Sequence, residues 1–77
     1  MTNKQEMIDI VVRRTRSWLD YLDYKAPSEA DEEDITIGLT HDHPAILNYL
    51  QVISHFEYTQ IISAVLDQLH DEEMVDA

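Results

Sequence analysis

The chain has 77 residues, no cysteine, 16 Asp and Glu against 5 Lys and Arg, and a formal net charge of −11. A single domain of this length buries a smaller share of its surface than average. With neither disulfides nor thiolate metal ligands to staple it, self-association of a helical surface is the remaining device, and a homodimer is expected. The acidity excludes direct binding of nucleic acid, because affinity for phosphates comes from cations that displace counterions.

No run is long enough to cross a bilayer. The opening stretch MTNKQEMIDIVV has acids around its apolar run and lacks a small-residue cleavage site, so a cytoplasmic protein without a secretory signal or membrane partner is expected. All five basic residues, Lys4, Arg13, Arg14, Arg16 and Lys25, fall in the first 25 positions, whereas Ala26 to Ala77 holds twelve carboxylates and no Lys or Arg.

Thr2-Asn3-Lys4-Gln5 has the spacing of a capping box and marks a helix start. Ile8, Val11, Thr15, Trp18 and Leu22 then recur at helical intervals, with Val12 and Leu19 widening the stripe, which predicts one amphipathic helix over about Asn3 to Tyr24. Arg13, Arg14 and Arg16 leave the stripe as a short basic band. Asp9 with Arg13 and Arg16 with Asp20 have the four-residue spacing of intrahelical ion pairs. The band reads either as a solvated face or as a cationic spot that docks the acidic half of a second copy. Trp18, Tyr21 and Tyr24 put three aromatics in seven residues, more than one core stripe needs. Some of that surface is expected to face a partner, since Trp and Tyr are enriched at binding hot spots.

Lys25-Ala26-Pro27-Ser28 ends the helix, because a residue before proline avoids the helical region. Glu29-Ala30-Asp31-Glu32-Glu33-Asp34 follows with five carboxylates in six residues, and their repulsion predicts an acidic linker over about 26–40. Within it, Ile35-Thr36-Ile37-Gly38-Leu39-Thr40 alternates with period two, which predicts a short extended segment tucking Ile35, Ile37 and Leu39 under the helices.

The stretch from Asp42 to Leu69 has no Lys or Arg and holds most of the large aliphatic residues of the second half, so it is the expected core. His43-Pro44 suits a helix start, with Asp42 or Thr40 to cap it. Ile46, Tyr49, Leu50, Ile53 and Phe56 form one stripe; Tyr58, Ile61, Ile62, Val65 and Leu69 form another, about a third of a turn away. A straight helix buries only one of the two, and Ser54-His55-Phe56-Glu57 has capping-box spacing. Two helices, about Pro44 to Ser54 and His55 to His70, are therefore predicted, with a single long helix as the alternative. The tail over 71–77 is acidic, and carboxylates at the negative end of a helix dipole predict fraying. The whole reads as an all-α, three-helix domain.

His41-Asp42-His43 offers two imidazoles and a carboxylate, donors that suit zinc, nickel or copper. A robust site needs further ligands supplied by the fold, so these residues read as polar groups at a helix cap; no metal and no cofactor are expected. The acidic run is not a calcium loop, because Ile35 and Ile37 stand where alternate oxygens are needed. Catalysis is not expected: no phosphate loop or nucleophile motif is present, and the carboxylates lie in runs and on polar faces, not in a cleft. Size, acidity and helix content resemble the acyl carrier proteins, which attach their prosthetic arm at an Asp-Ser-Leu motif. Here the corresponding stretch, Gly38-Leu39-Thr40-His41-Asp42-His43, has no serine, and no functional residue follows from the resemblance.

The functional expectation is a small acidic protein-binding protein, an inhibitor or nucleic-acid mimic of the phage or mobile-element type. It would occupy the basic surface of a nucleic-acid-binding protein. Carboxylates three or four residues apart on a helix sit roughly 5–6 Å from each other, comparable with successive phosphates. The candidate sets are Asp20 with Asp23, then Glu29, Asp31, Glu32, Glu33 and Asp34, then Asp67 with Asp71. Trp18, Tyr21 and Tyr24 are the candidate anchors, with the acids steering encounter. The alternative is a helical homodimeric adaptor that buries Trp18, Tyr49 and Phe56 between copies and uses its acids for solubility.

Overall fold

The first amides of a helix need acceptors from outside it, and here the Asn3 side chain accepts from the Glu6 amide at 2.8 Å. The computed structural model describes residues 3–23 and 25–75, with side chains through Asp71. The cap is thus Asn3, one residue later than the Thr2 box predicts, and Thr2 lies outside the described residues. Helix α1 runs Lys4–Leu22 and ends on Asp23, a left-handed C-cap (φ 54°) whose amide returns to the Leu19 carbonyl at 2.9 Å. Met7, Ile8, Val11, Val12, Thr15 and Leu19 form its buried face. That face is turned away from the expected stripe at its far end, leaving Trp18 half-buried and Leu22 exposed.

The acidic run departs most from expectation. A 3-10 turn, Pro27–Glu29, leads into a helix, α2, over Glu32–Asp42, so the predicted linker and extended segment are largely helical. Three interactions offset the repulsion among the carboxylates. Asp31 accepts from the Asp34 amide at 3.1 Å while the Asp34 carboxylate accepts from the Asp31 amide at 3.0 Å, a reciprocal capping box. Glu32 and Glu33 lie in the first turn, at the positive end of the helix dipole. Lys25 reaches Asp34 at 2.8 Å and Asp31 at 3.6 Å. Ile35 and Leu39, four residues apart, are buried with Gly38, while Ile37 is exposed, which is helical spacing and not alternation.

Helix α3 runs Pro44–Val52 with proline at its first position, as expected. Its N-cap is His43 without a side-chain hydrogen bond, so neither expected cap is used. Asp42 instead approaches Arg14 at 3.8 Å, and the Thr40 hydroxyl donates to the Thr36 carbonyl at 2.8 Å. Ile53 then adopts an extended conformation, and the Ser54 hydroxyl accepts from the Glu57 amide at 3.2 Å, so the stretch divides into two helices where the sequence predicts. Helix α4 runs His55–Val75, past the expected end at His70. The His70 ring is hydrogen-bonded to the Ala30 carbonyl at 2.9 Å, which ties down the turn where fraying was expected to begin. Asp76 and Ala77 lie outside the described residues.

Among the described residues there are four α-helices, one 3-10 turn and no strand; the class is all-α as expected, with one helix more than the predicted three. Helix α1 packs on both α2 and α4, α3 packs on α2, and the 3-10 turn packs on α4. Lys4 Nζ donates to Gln60 Oε1 at 2.7 Å, joining the starts of α1 and α4. The core is built from Val11, Leu19, Ile35, Leu39, Val65 and Leu69, with Ile46 and Leu50 from α3 and Ile61 and Ile62 from α4. Phe56 does not continue the Ile46 stripe: it is 70% exposed. At 100° per residue it stands half a turn from fully buried Val65. No helix among the described residues is long and apolar enough to cross a membrane.

Candidate partner-binding surface

Carboxylates from three separate stretches of sequence come to the same end of the molecule. Asp20 and Asp23, from the last turn and C-cap of α1, border an open hollow of about 810 Å³ together with Lys25, Pro27, Arg13 and Arg16. The 3-10 turn that follows carries Glu29 and packs on α4. The bond between His70 and Ala30 brings Asp71, the residue after His70, beside the start of α2; Asp67, predicted to belong to the same set, instead borders a hollow with Lys4 and Ile8 of α1.

The members of this set do not have equal freedom. Glu29 Oε1 accepts from the Ala26 amide at 3.1 Å, Asp31 is spent on the capping box, and Glu32 accepts from the Tyr58 hydroxyl. Burial, then the hydrogen bond and charge of Glu32, push the Tyr58 hydroxyl up to about 12. Asp34, predicted to meet a partner, is 4% exposed and ion-paired with Lys25, so it is withdrawn from the surface into the scaffold of α2. Asp20, Asp23, Glu29, Glu33, Asp67 and Asp71 remain exposed.

The aromatic anchors also divide. Trp18 lies across Gly38, where an added Cβ would come within 3.2 Å of its Cβ, Cγ and Cδ1. A side chain at this point would require the indole to shift by a few tenths of an ångström, so glycine suits the close approach of α1 and α2. The indole stacks on His41 (ring centroids 4.9 Å, 11° between planes) and more loosely on Tyr21 (6.1 Å, 25°). Trp18 thus belongs mainly to the seam between α1 and α2, whereas Tyr21, 81% exposed, is free to meet a partner. Tyr24 lies outside the described residues. Trp18, Tyr21, His41 and Asp42 together border a hollow of about 310 Å³.

His41 is engaged with Trp18 and His43 sits at the α2–α3 joint; among the described residues no group of three or more His, Asp or Glu side chains is arranged to hold a metal ion. In the basic band, the expected Asp9 to Arg13 pair gives way to a hydrogen bond from Gln5 to Asp9 at 3.0 Å, and Arg14 turns to Asp42. Around the break at Ile53, Tyr49, Val52 and Phe56 are all exposed; Val52, 74% exposed, is the one that sequence reasoning did not single out. The expected stripe of Ile46, Tyr49, Leu50, Ile53 and Phe56 is buried only at Ile46 and Leu50.

Fold and surface together define a small four-helix domain with an acidic end and, apart from it, exposed apolar side chains on α3 and α4. Comparison of the chain with protein-family models, with curated proteins and with solved structures found no match.

Proposed function

We propose that this protein is a small acidic binder that occupies the basic surface of a nucleic-acid-binding protein, in the place of the nucleic acid, as an inhibitor of the kind made by phages and mobile elements. Its role is binding and not catalysis. The observation that supports this reading is the convergence of Asp20, Asp23, Glu29, Glu33 and Asp71 at one end, with Lys25 turned inward onto Asp34. Carboxylates held on helices in this way form a fixed negative array that raises the encounter rate with a cationic groove. Exposed Tyr21 supplies apolar contact next to that array.

The experiment is affinity capture from lysate by the full chain and by a variant neutralised at Glu29→Gln, Glu33→Gln and Asp71→Asn, which leaves the Asp31 and Asp34 capping box intact. Nucleic-acid-handling proteins retained by the first and lost by the second support the proposal; an identical catch from both contradicts it. A second reading, a helical adaptor whose acids serve only solubility, is favoured by the exposed Tyr49, Val52 and Phe56 side chains. Salt separates the two: a mimic's complex weakens as ionic strength rises, whereas an apolar contact persists or tightens.

A further inference from the structure

Helices α1 and α4 leave an open groove of about 510 Å³ between them, lined along α4 by Phe56, Gln60, Ser63, Ala64 and Asp67 and along α1 by Lys4 and Ile8. Two of its features point to the same occupant. The exposed ring of Phe56 lies at one end, and the small side chains of Ser63 and Ala64 lie in the middle, where a second helix can approach closely. The charged lining residues are Lys4 and Asp67, at levels of α4 about two turns apart, since Lys4 is bonded to Gln60. That bond orients the ammonium without neutralising it, because its partner is an uncharged amide.

We propose that the groove is covered by a second copy of this chain, related by a two-fold axis near Ser63 and Ala64. An antiparallel copy places Lys4 of each chain opposite Asp67 of the other, so one geometry forms both ion pairs, as a closed isologous contact requires. Charge restricts the alternatives. Two chains of net charge −11 repel each other wherever carboxylate faces carboxylate. The groove is lined by one charge of each sign, Lys4 and Asp67, so a second acidic copy meets no excess of carboxylates there. A specific interface needs roughly 500 Å² from each copy, so the contact has to extend from the groove over the adjoining surface of α1 and α4. The inference is independent of the proposed function, because the groove and the acidic end are different surfaces.

The test is sedimentation equilibrium of the full chain, with circular dichroism to verify that helix content is unchanged in each variant; Phe56 and Lys4 are both exposed. The wild-type chain is expected to sediment as a dimer. Phe56→Ser and Lys4→Glu are each expected to weaken the dimer by about tenfold or more. Lys4→Glu combined with Asp67→Lys is expected to restore it, because the swap rebuilds both ion pairs with reversed sign. The proposal is overturned by a monomer at every concentration, by a dimer indifferent to both single substitutions, or by a monomer whose groove takes a foreign protein through Phe56.

Discussion

Replacing Asp34 with alanine removes, in one step, the acceptor of the Lys25 ammonium at 2.8 Å and of the Asp31 amide at 3.0 Å. Hydrogen bonds to a charged group contribute about 1.5–3 kcal/mol each, and a helix cap about 1 kcal/mol. These share one carboxylate and are not additive, so the expected loss is about 3 kcal/mol, against a total of roughly 4–12 kcal/mol for a chain of this length. With a urea dependence of about 1 kcal/mol per molar for a small domain, the unfolding midpoint should fall by about 2–3 M. The assay is urea unfolding followed by far-ultraviolet circular dichroism, with Glu33→Ala as the control. Glu33 is the neighbouring exposed acid, and its loss should change stability by no more than about 0.5 kcal/mol. Asp34→Asn should fall between the two, because an amide oxygen can still accept from Asp31 while the ion pair is lost. Equal midpoints for the Asp34→Ala and Glu33→Ala variants would refute the assignment of Asp34 to the scaffold.

Three further outcomes follow from the same packing. Thr15 is fully buried and its hydroxyl has no hydrogen-bond partner among the described residues, so Thr15→Val should raise stability by about 1 kcal/mol, or about 4–8 °C in Tm; a loss would mean the hydroxyl is satisfied. Gly38→Val must push the indole of Trp18 off α2, costing about 1–3 kcal/mol and shifting Trp18 fluorescence to longer wavelength; an unshifted spectrum would contradict the seam described here. Tyr58 holds its proton more tightly in the fold, at about 12 against 10.0 for the free group. Its contribution to stability is therefore present below pH 10 and is lost as pH rises through about 12. A ring-resonance titration by NMR should show that high midpoint in the wild-type chain and a lower one in Glu32→Gln, and a midpoint unmoved by the substitution would count against the contact.

The parts of the fold that were legible in the sequence are those set by local chemistry. Pro44 at the start of α3, the Ser54 cap of α4 and the 3.6-residue recurrence of Ile61, Ile62, Val65 and Leu69 are all signals within one turn or two. Helix α2 was obscured because charge repulsion was weighed without the dipole, the capping box and Lys25, although Asp31 and Asp34 already stand at box spacing ahead of Ile35 and Leu39. The role of Gly38 was illegible for a different reason: nothing nearby in sequence announces that Trp18, twenty residues earlier, will lie across it. In the candidate surface, the exposed acids were readable as a composition, but which of them the fold would consume was not. Asp34 and Glu33 are adjacent and chemically alike, and only the position of Lys25 separates a buried ion pair from an exposed charge.

The proposed function is tested most directly by competition. A nucleic-acid-binding protein captured by the wild-type chain should be released by duplex DNA in proportion to the DNA added, and the chain should in turn displace DNA from that protein, with both exchanges weakening as salt rises. Simultaneous binding of chain and DNA to the same captured protein would contradict the account, because the acidic end would then be meeting something other than the phosphate-binding surface.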